Sequence, residues 1–283
     1  MTSPGPVLTI PGMQDAAPSE TVREVAQALL EALETRTPID PVTKRWPDVS
    51  LEAAYAVQLR GVKYRVARGG YVKGHKVGLT SHAMQRMLGV DEPDYGHLID
   101  DMFHCEGDEI SATRFVQPRV EPELAFVLSE RLVGPGATVA DAGRAVESVH
   151  PTLEIIDSRI RDWRITLIDT IADNASSGGV VLGARASKPH AGDLATAGCI
   201  LTRNGELVET GAGGAVLGHP LAALVWLANT LGERGEALER GQVVLSGACT
   251  RAVAVEPGDV VVADFGKLGS ATAVFASAKA PNG

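Results

Sequence analysis

Gln117–Glu130 reads QPRVEPELAFVLSE, with Glu121 and Glu123 on either side of Pro122 and an apolar run behind them. The run reads as a buried strand. Successive side chains of a strand point to opposite faces, so Glu121 and Glu123 share a face with Ala125 and Val127. Two carboxylates side by side on a half-buried surface repel each other and lose hydration. A bound cation at the mouth of this strand is the natural compensation.

Outward from this stretch, the chain after Tyr71 is a series of short β-rich runs separated by Gly and Pro. They include YVKGHKVGLT, PTLEIID, GGVVLG, CILTRNGELVE, QVVLSGA, DVVVADF and ATAVFAS. Asn204–Gly205 inside TRNGELV signals a two-residue hairpin. Helices are few: one is expected through VADAGRAVESV and one after Pro220, a residue suited to a first helical turn. A doubly wound parallel sheet would need a helix after nearly every strand, so the expected fold is α+β, a mixed β-sheet roll. Before Tyr71 the texture is helical. TVRE reads as a capping box with Thr21 at the N-cap and Glu24 three residues on. A second helix follows Ser50 and ends at Gly69–Gly70. The expected organisation is a loose Pro-, Gly- and Ser-containing tail over 1–18, a helical N-terminal subregion over 19–70, and a mixed β-roll catalytic domain over 71–283.

Composition narrows the function classes. The 283 residues are 45 % hydrophobic but 4 % aromatic, so aliphatic side chains must fill the core. A formal net charge of −9 argues against nucleic acid or an anionic membrane as main partner. Cys105, Cys199 and Cys249 are scattered, with no zinc or C-x-x-C spacing, which suits a reduced, cytoplasmic protein. Neither a membrane span nor a signal peptide is read from the sequence.

A third acid, Glu154, sits in the apolar run of HPTLEIIDSR. Three carboxylate ligands describe a hard, oxygen-ligand site that suits Mg²⁺ or Mn²⁺ better than zinc. The competing reading pairs these acids with Arg119, Arg159 or Arg161. Lys76, in the Gly-flanked run GHKVGLTS, either meets the acid cluster and substrate oxygen or extends its head to solvent. Its neighbour His75 falls on the other face and reads as structural. In DTIADNASSGGVVLG, Asp173, Asn174, Ser176 and Ser177 offer donors to an anion, or form a plain turn. GAGGAVLGHP approaches the dinucleotide pattern but lacks its strand context and its later acid.

Taken in order, GHKVGLTS, MLGVDEPDYGHL, QPRVEPELAFVL, EIIDSRIRDW with DTIADNAS, and GAGGAVLGHP resemble the 2-hydroxypenta-2,4-dienoate (2-keto-4-pentenoate) hydratases of the fumarylacetoacetate hydrolase superfamily. The resemblance covers roughly Ser50 to Ala276. It implies a small helical part on a largely β roll, and Mg²⁺ or Mn²⁺ held by Glu121, Glu123 and Glu154. It also implies that Lys76 acts on the substrate and that the surroundings of Leu88, with Asn174 and Ser176, line the substrate pocket. The substrate class implied is a small 2-hydroxydienoate of meta-cleavage degradation. A homo-oligomer and a partner aldolase of the same pathway are expected with it. QPR, DSRIRDW and SGACTRAV resemble the hydratase branch more than the related 4-oxalocrotonate decarboxylases, which remain the alternative. A non-enzyme reading, a scaffold for the aldolase, leaves the converging carboxylates without a purpose.

Overall fold

The computed structural model describes residues 19–189 and 193–277. The expected tail over 1–18 lies outside the described residues. Helix α1 (Glu20–Thr35) starts one residue before Thr21, because the Ser19 hydroxyl caps it by accepting from Val22 N at 3.3 Å. Glu24 accepts from Trp46 Nε1 at 3.1 Å instead of closing a capping box. After α2 (Val42–Arg45), helix α3 (Leu51–Ala67) is capped by Ser50 and packs Ala54 and Val57 into one core with Val22, Val25 and Leu29 of α1.

The remaining elements are β1 (Val72–Gly78), α4 (His82–Leu88), β2 (Asp94–Ile99), β3 (Phe103–His104), β4 (Glu109–Ile110), β5 (Pro118–Leu128), α5 (Val139–Ala145), β6 (Val146–Asp157), α6 (Leu167–Ala172) and β7 (Ser177–Leu182). They continue with β8 (Gly198–Arg203), β9 (Glu206–Ala212), α7 (Pro220–Gly232), β10 (Val243–Leu245), β11 (Val253–Ala254), β12 (Val260–Asp264) and β13 (Ser270–Phe275). A large mixed sheet runs β2-β1-β10-β5-β6-β7-β3, with β11 also on β5, and a five-stranded sheet runs β4-β13-β12-β8-β9. The α+β reading holds. Asn204 and Gly205 both take positive φ, 55° and 85°, as the two-residue β8–β9 turn requires.

Two boundaries differ from the sequence reading. The helix expected through Val149 stops at Ala145, and Val146 already belongs to β6. Pairing with β5 decides this: Phe126↔Val149 register buries Val149 completely, which a surface helix would not do. The acidic pair is also not at a strand mouth. It lies inside the eleven-residue β5. Pro122 is tolerated there because β10 reaches β5 only at Ala125 and β11 only at Val120. In the gap between them, the Pro122 carbonyl accepts from Cys249 N at 2.9 Å. The N and C=O of one strand residue face the same side, so the missing N–H falls where no strand needs a donor.

Residues 213–232 are apolar and long enough, by length and composition, to cross a bilayer. Within them α7 is thirteen residues, about 20 Å long, against a hydrocarbon core of about 30 Å. Its Leu221, Ala223, Leu224 and Leu227 are buried in the protein core.

Candidate active site

Glu121 on β5 stands directly opposite Glu154 on β6, and Glu123 stands opposite Thr152. The three carboxylates each place an oxygen within 4.8 Å of the others. Glu123 and Glu154 are buried, 1 % and 0 % exposed, while Glu121 is partly exposed. Glu123 Oε2 accepts from Gly247 N at 2.7 Å. Glu123 Oε1 and both oxygens of Glu154 are buried without a hydrogen-bond partner. Burial raises all three carboxyls, joined at Glu121 and Glu123 by repulsion from Glu154: Glu121 to about 7, Glu123 well above the usual carboxylate range, and Glu154 upward, with Asp94, against the pull of Lys76. Orphaned, destabilised carboxylate oxygens converging on one point are the donor set a divalent cation completes.

Gly247 comes from the loop that follows β10 and carries φ 108°. A Cβ there would meet Thr80 Oγ1 at 2.1 Å, so glycine alone lets its N–H reach Glu123.

Lys76 lies on β1, separated from β5 by the short β10, and is 4 % exposed. Its Nζ stands 3.5 Å from Glu154 Oε2 and donates to Ala175 O at 3.0 Å. Burial pushes the ammonium down, but Glu154, Asp94, Glu121 and Glu123 together hold it above the ordinary lysine value. The solvent-reaching alternative for Lys76 is thereby excluded. The arginine-pairing alternative fails for two of its three arginines: Arg159 binds Asp173, and Arg161 reaches Asp40 and Pro38 O. The charge of Arg119 does act on Glu121, while the cation ion-paired with the cluster is Lys76.

Asp94 is a site neighbour that sequence reasoning missed. It pairs opposite Gly78, is 1 % exposed, and leaves Oδ1 without a partner. The position a Gly78 Cβ would take lies 2.1 Å from Asp94 Oδ1 and 3.3 Å from Lys76 Nζ. The glycine therefore gives the carboxylate its room beside the lysine. The available signal was the Gly two residues after Lys76; the partner strand could not be read from it.

The loop residues divide by role. Asn174, Ala175 and Ser176 form a short 3-10 turn with φ 54°, 50° and 54°, a left-handed run that non-glycine residues adopt at a cost. This conformation aims Ala175 O at Lys76. Asn174 is not a free donor: its Oδ1 accepts from His97 N and its Nδ2 donates to His97 O, both at 2.9 Å. Asp173 is engaged by Arg159. Ser176 Oγ is buried and unpartnered in the turn that supports Lys76. Leu88 is the last residue of α4, before the left-handed Gly89. His75 faces the opposite side, with its ring 5.0 Å from that of His97, whose Nδ1 meets Gln58 Oε1 at 3.0 Å. A cavity of about 580 Å³ between α1, α3 and residues 172–178 is lined by none of the three glutamates.

Residues 74–276 match the model of the Fumarylacetoacetate (FAA) hydrolase C-terminal family. The chain is 45 % identical over 254 residues to a 2-keto-4-pentenoate hydratase of Paraburkholderia xenovorans (strain LB400), covering 90 % of this chain and 94 % of that one. It is 42 % identical over 257 residues to a 2-oxo-hept-4-ene-1,7-dioate hydratase of Escherichia coli, covering 89 % and 96 %. Among solved structures it resembles 4-oxalocrotonate decarboxylase from Pseudomonas putida G7, complexed with magnesium and adipate, at a TM-score of 0.88 and 38 % identity, covering 90 % and 97 %.

Proposed function

The chain belongs to the fumarylacetoacetate hydrolase family, and from that premise we propose that it is a divalent-metal-dependent hydratase. It adds water to 2-hydroxypenta-2,4-dienoate and yields 4-hydroxy-2-oxopentanoate. The observation that carries the reading is the set of orphaned oxygens on Glu123 and Glu154, beside Glu121 and facing Lys76. Glu121, Glu123 and Glu154 would hold the ion, and an all-carboxylate set favours Mg²⁺ or Mn²⁺. When bound, the ion supplies Lewis acidity to the carboxylate and 2-oxygen end of the substrate.

The chain's own groups do the rest. Glu121, the partly exposed member of the cluster, marks the side from which substrate enters. Lys76 Nζ holds a proton close to the 2-oxygen end, fixed there by Glu154 and by Ala175 O. Hydration requires the 2-hydroxyl proton to leave, a proton to arrive at C5, and water to add across C3 and C4. Lys76 suits the role of positioned cation and proton donor better than that of base, because the surrounding carboxylates keep it charged. Ser176, buried on the turn beside Lys76, is the proposed hydroxyl partner in the pocket, and the backbone around Leu88 is proposed to border it.

The related decarboxylase reaction would use the same cluster, so product identity is the test. Carbon NMR after mixing with 2-hydroxypenta-2,4-dienoate and Mg²⁺ should show 4-hydroxy-2-oxopentanoate with all carbons retained. Rapid CO₂ release from the six-carbon diacid without hydration of the monoacid would replace the reading with decarboxylation. Ile200, Leu207 and Val260, exposed on β8, β9 and β12, support a homo-oligomer. A cytoplasmic location and an aldolase that consumes the product complete the proposal.

A further inference from the structure

We propose that Asn174 is a positioning residue for the reaction: its side-chain amide clamps the free edge of β2 and so holds the Ala175 carbonyl against Lys76 Nζ. The inference rests on the hydratase reading above and gives that site a residue that acts without touching substrate.

β2 is an edge strand of the large sheet. Backbone groups on such an edge need partners from outside the sheet. Side chains supply them. Tyr95 O accepts from Gln58 Nε2 at 3.0 Å, and Ile99 N donates to Met102 Sδ at 3.2 Å. Between them Asn174 serves both groups of His97, accepting from N and donating to O, each at 2.9 Å. Satisfying an edge is by itself a structural task. What sets Asn174 apart is the residue that follows it.

Ala175 O accepts from Lys76 Nζ at 3.0 Å, closer than Glu154 Oε2 at 3.5 Å. The carbonyl is the nearer of the two groups that fix the ammonium. Its direction depends on three successive left-handed residues. Asparagine tolerates that conformation, whereas Ala175 and Ser176 have no preference for it. The run must therefore be held from outside. Arg159 anchors its two ends, through the Asp173 carboxylate and through Ser177 O at 3.0 Å. At the apex, Ala175 has no polar side chain and Ser176 Oγ is unpartnered. The side-chain tie from the apex to the sheet is that of Asn174.

The strand is shaped to receive the turn. Gly96 pairs opposite Lys76, and a Cβ there would stand 2.5 Å from Asn174 O and 2.8 Å from Ser177 Oγ. Glycine lets the turn close onto β2 at the register position of the lysine. The clamp at His97 and the missing side chain at Gly96 act on adjacent residues. Together they set where Ala175 O stands relative to Lys76.

The test measures kcat and KM for 2-hydroxypenta-2,4-dienoate with Mg²⁺ in wild type, Asn174→Gly, Gly96→Ala and Met102→Leu. Asn174→Gly removes the clamp but keeps a residue at ease with positive φ, so it separates the amide from backbone strain. It should lower kcat on the order of 100-fold, the scale for a displaced catalytic group. KM should stay within about twofold, because the three glutamates are untouched. Gly96→Ala displaces the turn from the strand side and should lower kcat at least about tenfold. Met102→Leu removes a cap from the same edge that has no link to Lys76, and should keep kcat whatever it does to Tm. A second arm needs no substrate. In protein labelled with ¹⁵N-lysine, the Lys76 ammonium is the cross-peak lost in Lys76→Met. Its proton exchange with water should be at least about tenfold faster in Asn174→Gly, as expected for a lost charged hydrogen bond. Near-normal kcat in Asn174→Gly, a loss carried by KM instead, unchanged ammonium exchange, or an equal loss in Met102→Leu overturns the inference. If wild type does not consume the dienoate, the hydratase reading falls, and the exchange rate alone decides whether Asn174 positions Lys76.

Discussion

Glu123→Gln probes the metal proposal through stability as well as activity. Gln keeps an acceptor for Gly247 N and removes one acid from a cluster whose oxygens lie within 4.8 Å of one another. Two charges 4 Å apart repel by about 4 kcal/mol at an effective dielectric of 20. Lys76 and partial protonation offset much of this, so a net gain of about 1–2 kcal/mol is expected without metal. For a chain of this size that raises Tm by about 3–6 °C. The sign with pH follows from the raised carboxyls. A folded pKa above the unfolded one gives stability that is full below the ordinary carboxylate value and is lost as pH rises through the folded value. The advantage of the variant should therefore grow from about pH 5 to pH 8. With Mg²⁺ at a hundred times its dissociation constant, wild type should gain about 2.7 kcal/mol, or roughly 5–10 °C, and the variant a small fraction of that. Calorimetric melting with EDTA and with Mg²⁺ reads both effects. A variant that melts lower than wild type in EDTA, yet gains as much from Mg²⁺, refutes the assignment.

Three further outcomes are expected. Lys76→Met keeps most of the stem's volume and should lower kcat on the order of 100-fold or more; near-normal kcat with a shifted Tm would assign Lys76 a structural role. Gly78→Ala puts a methyl 2.1 Å from Asp94 Oδ1 and 3.3 Å from Lys76 Nζ, so turnover should fall at least tenfold with the far-ultraviolet circular dichroism retained, and full activity would remove Asp94 from the site. Burial, aided by Arg234, lowers His97 to about 4, so the folded state keeps it neutral and stability is lost as pH falls from about 6.5 to about 4, by about 3 kcal/mol. Urea midpoints of wild type and His97→Asn should converge over that range, and parallel curves would contradict it.

Some of this site is visible in the chain alone. The period of two places Glu121 and Glu123 on one face, and an acid inside an apolar run marks Glu154. The contact of Lys76 with Glu154 is of another kind. It depends on β10, from near residue 243, slotting between β1 and β5, and no local pattern encodes that insertion. Asp94 is hidden for the same reason, since its meaning comes from standing opposite Gly78. Asn174 reads as a pocket donor because an amide in a Ser- and Gly-rich loop usually is one; the left-handed turn that directs it to His97 is a tertiary choice. The helix expected to run past Ala145 illustrates a spacing that fits two periods until a partner strand selects one.

The position of β10 also orders events during synthesis. β5 and β6 are consecutive strands that pair over their full length, so all three glutamates lie on a strand pair whose sequence is complete by residue 157. Lys76, made earlier, has no bridge to them until β10 is translated. A chain ending near residue 240 would thus possess the three glutamates, without Gly247 to hold Glu123 or the strand that brings Lys76 alongside. The last sixth of the chain therefore carries the strand and the loop that complete the proposed site around a strand pair made earlier.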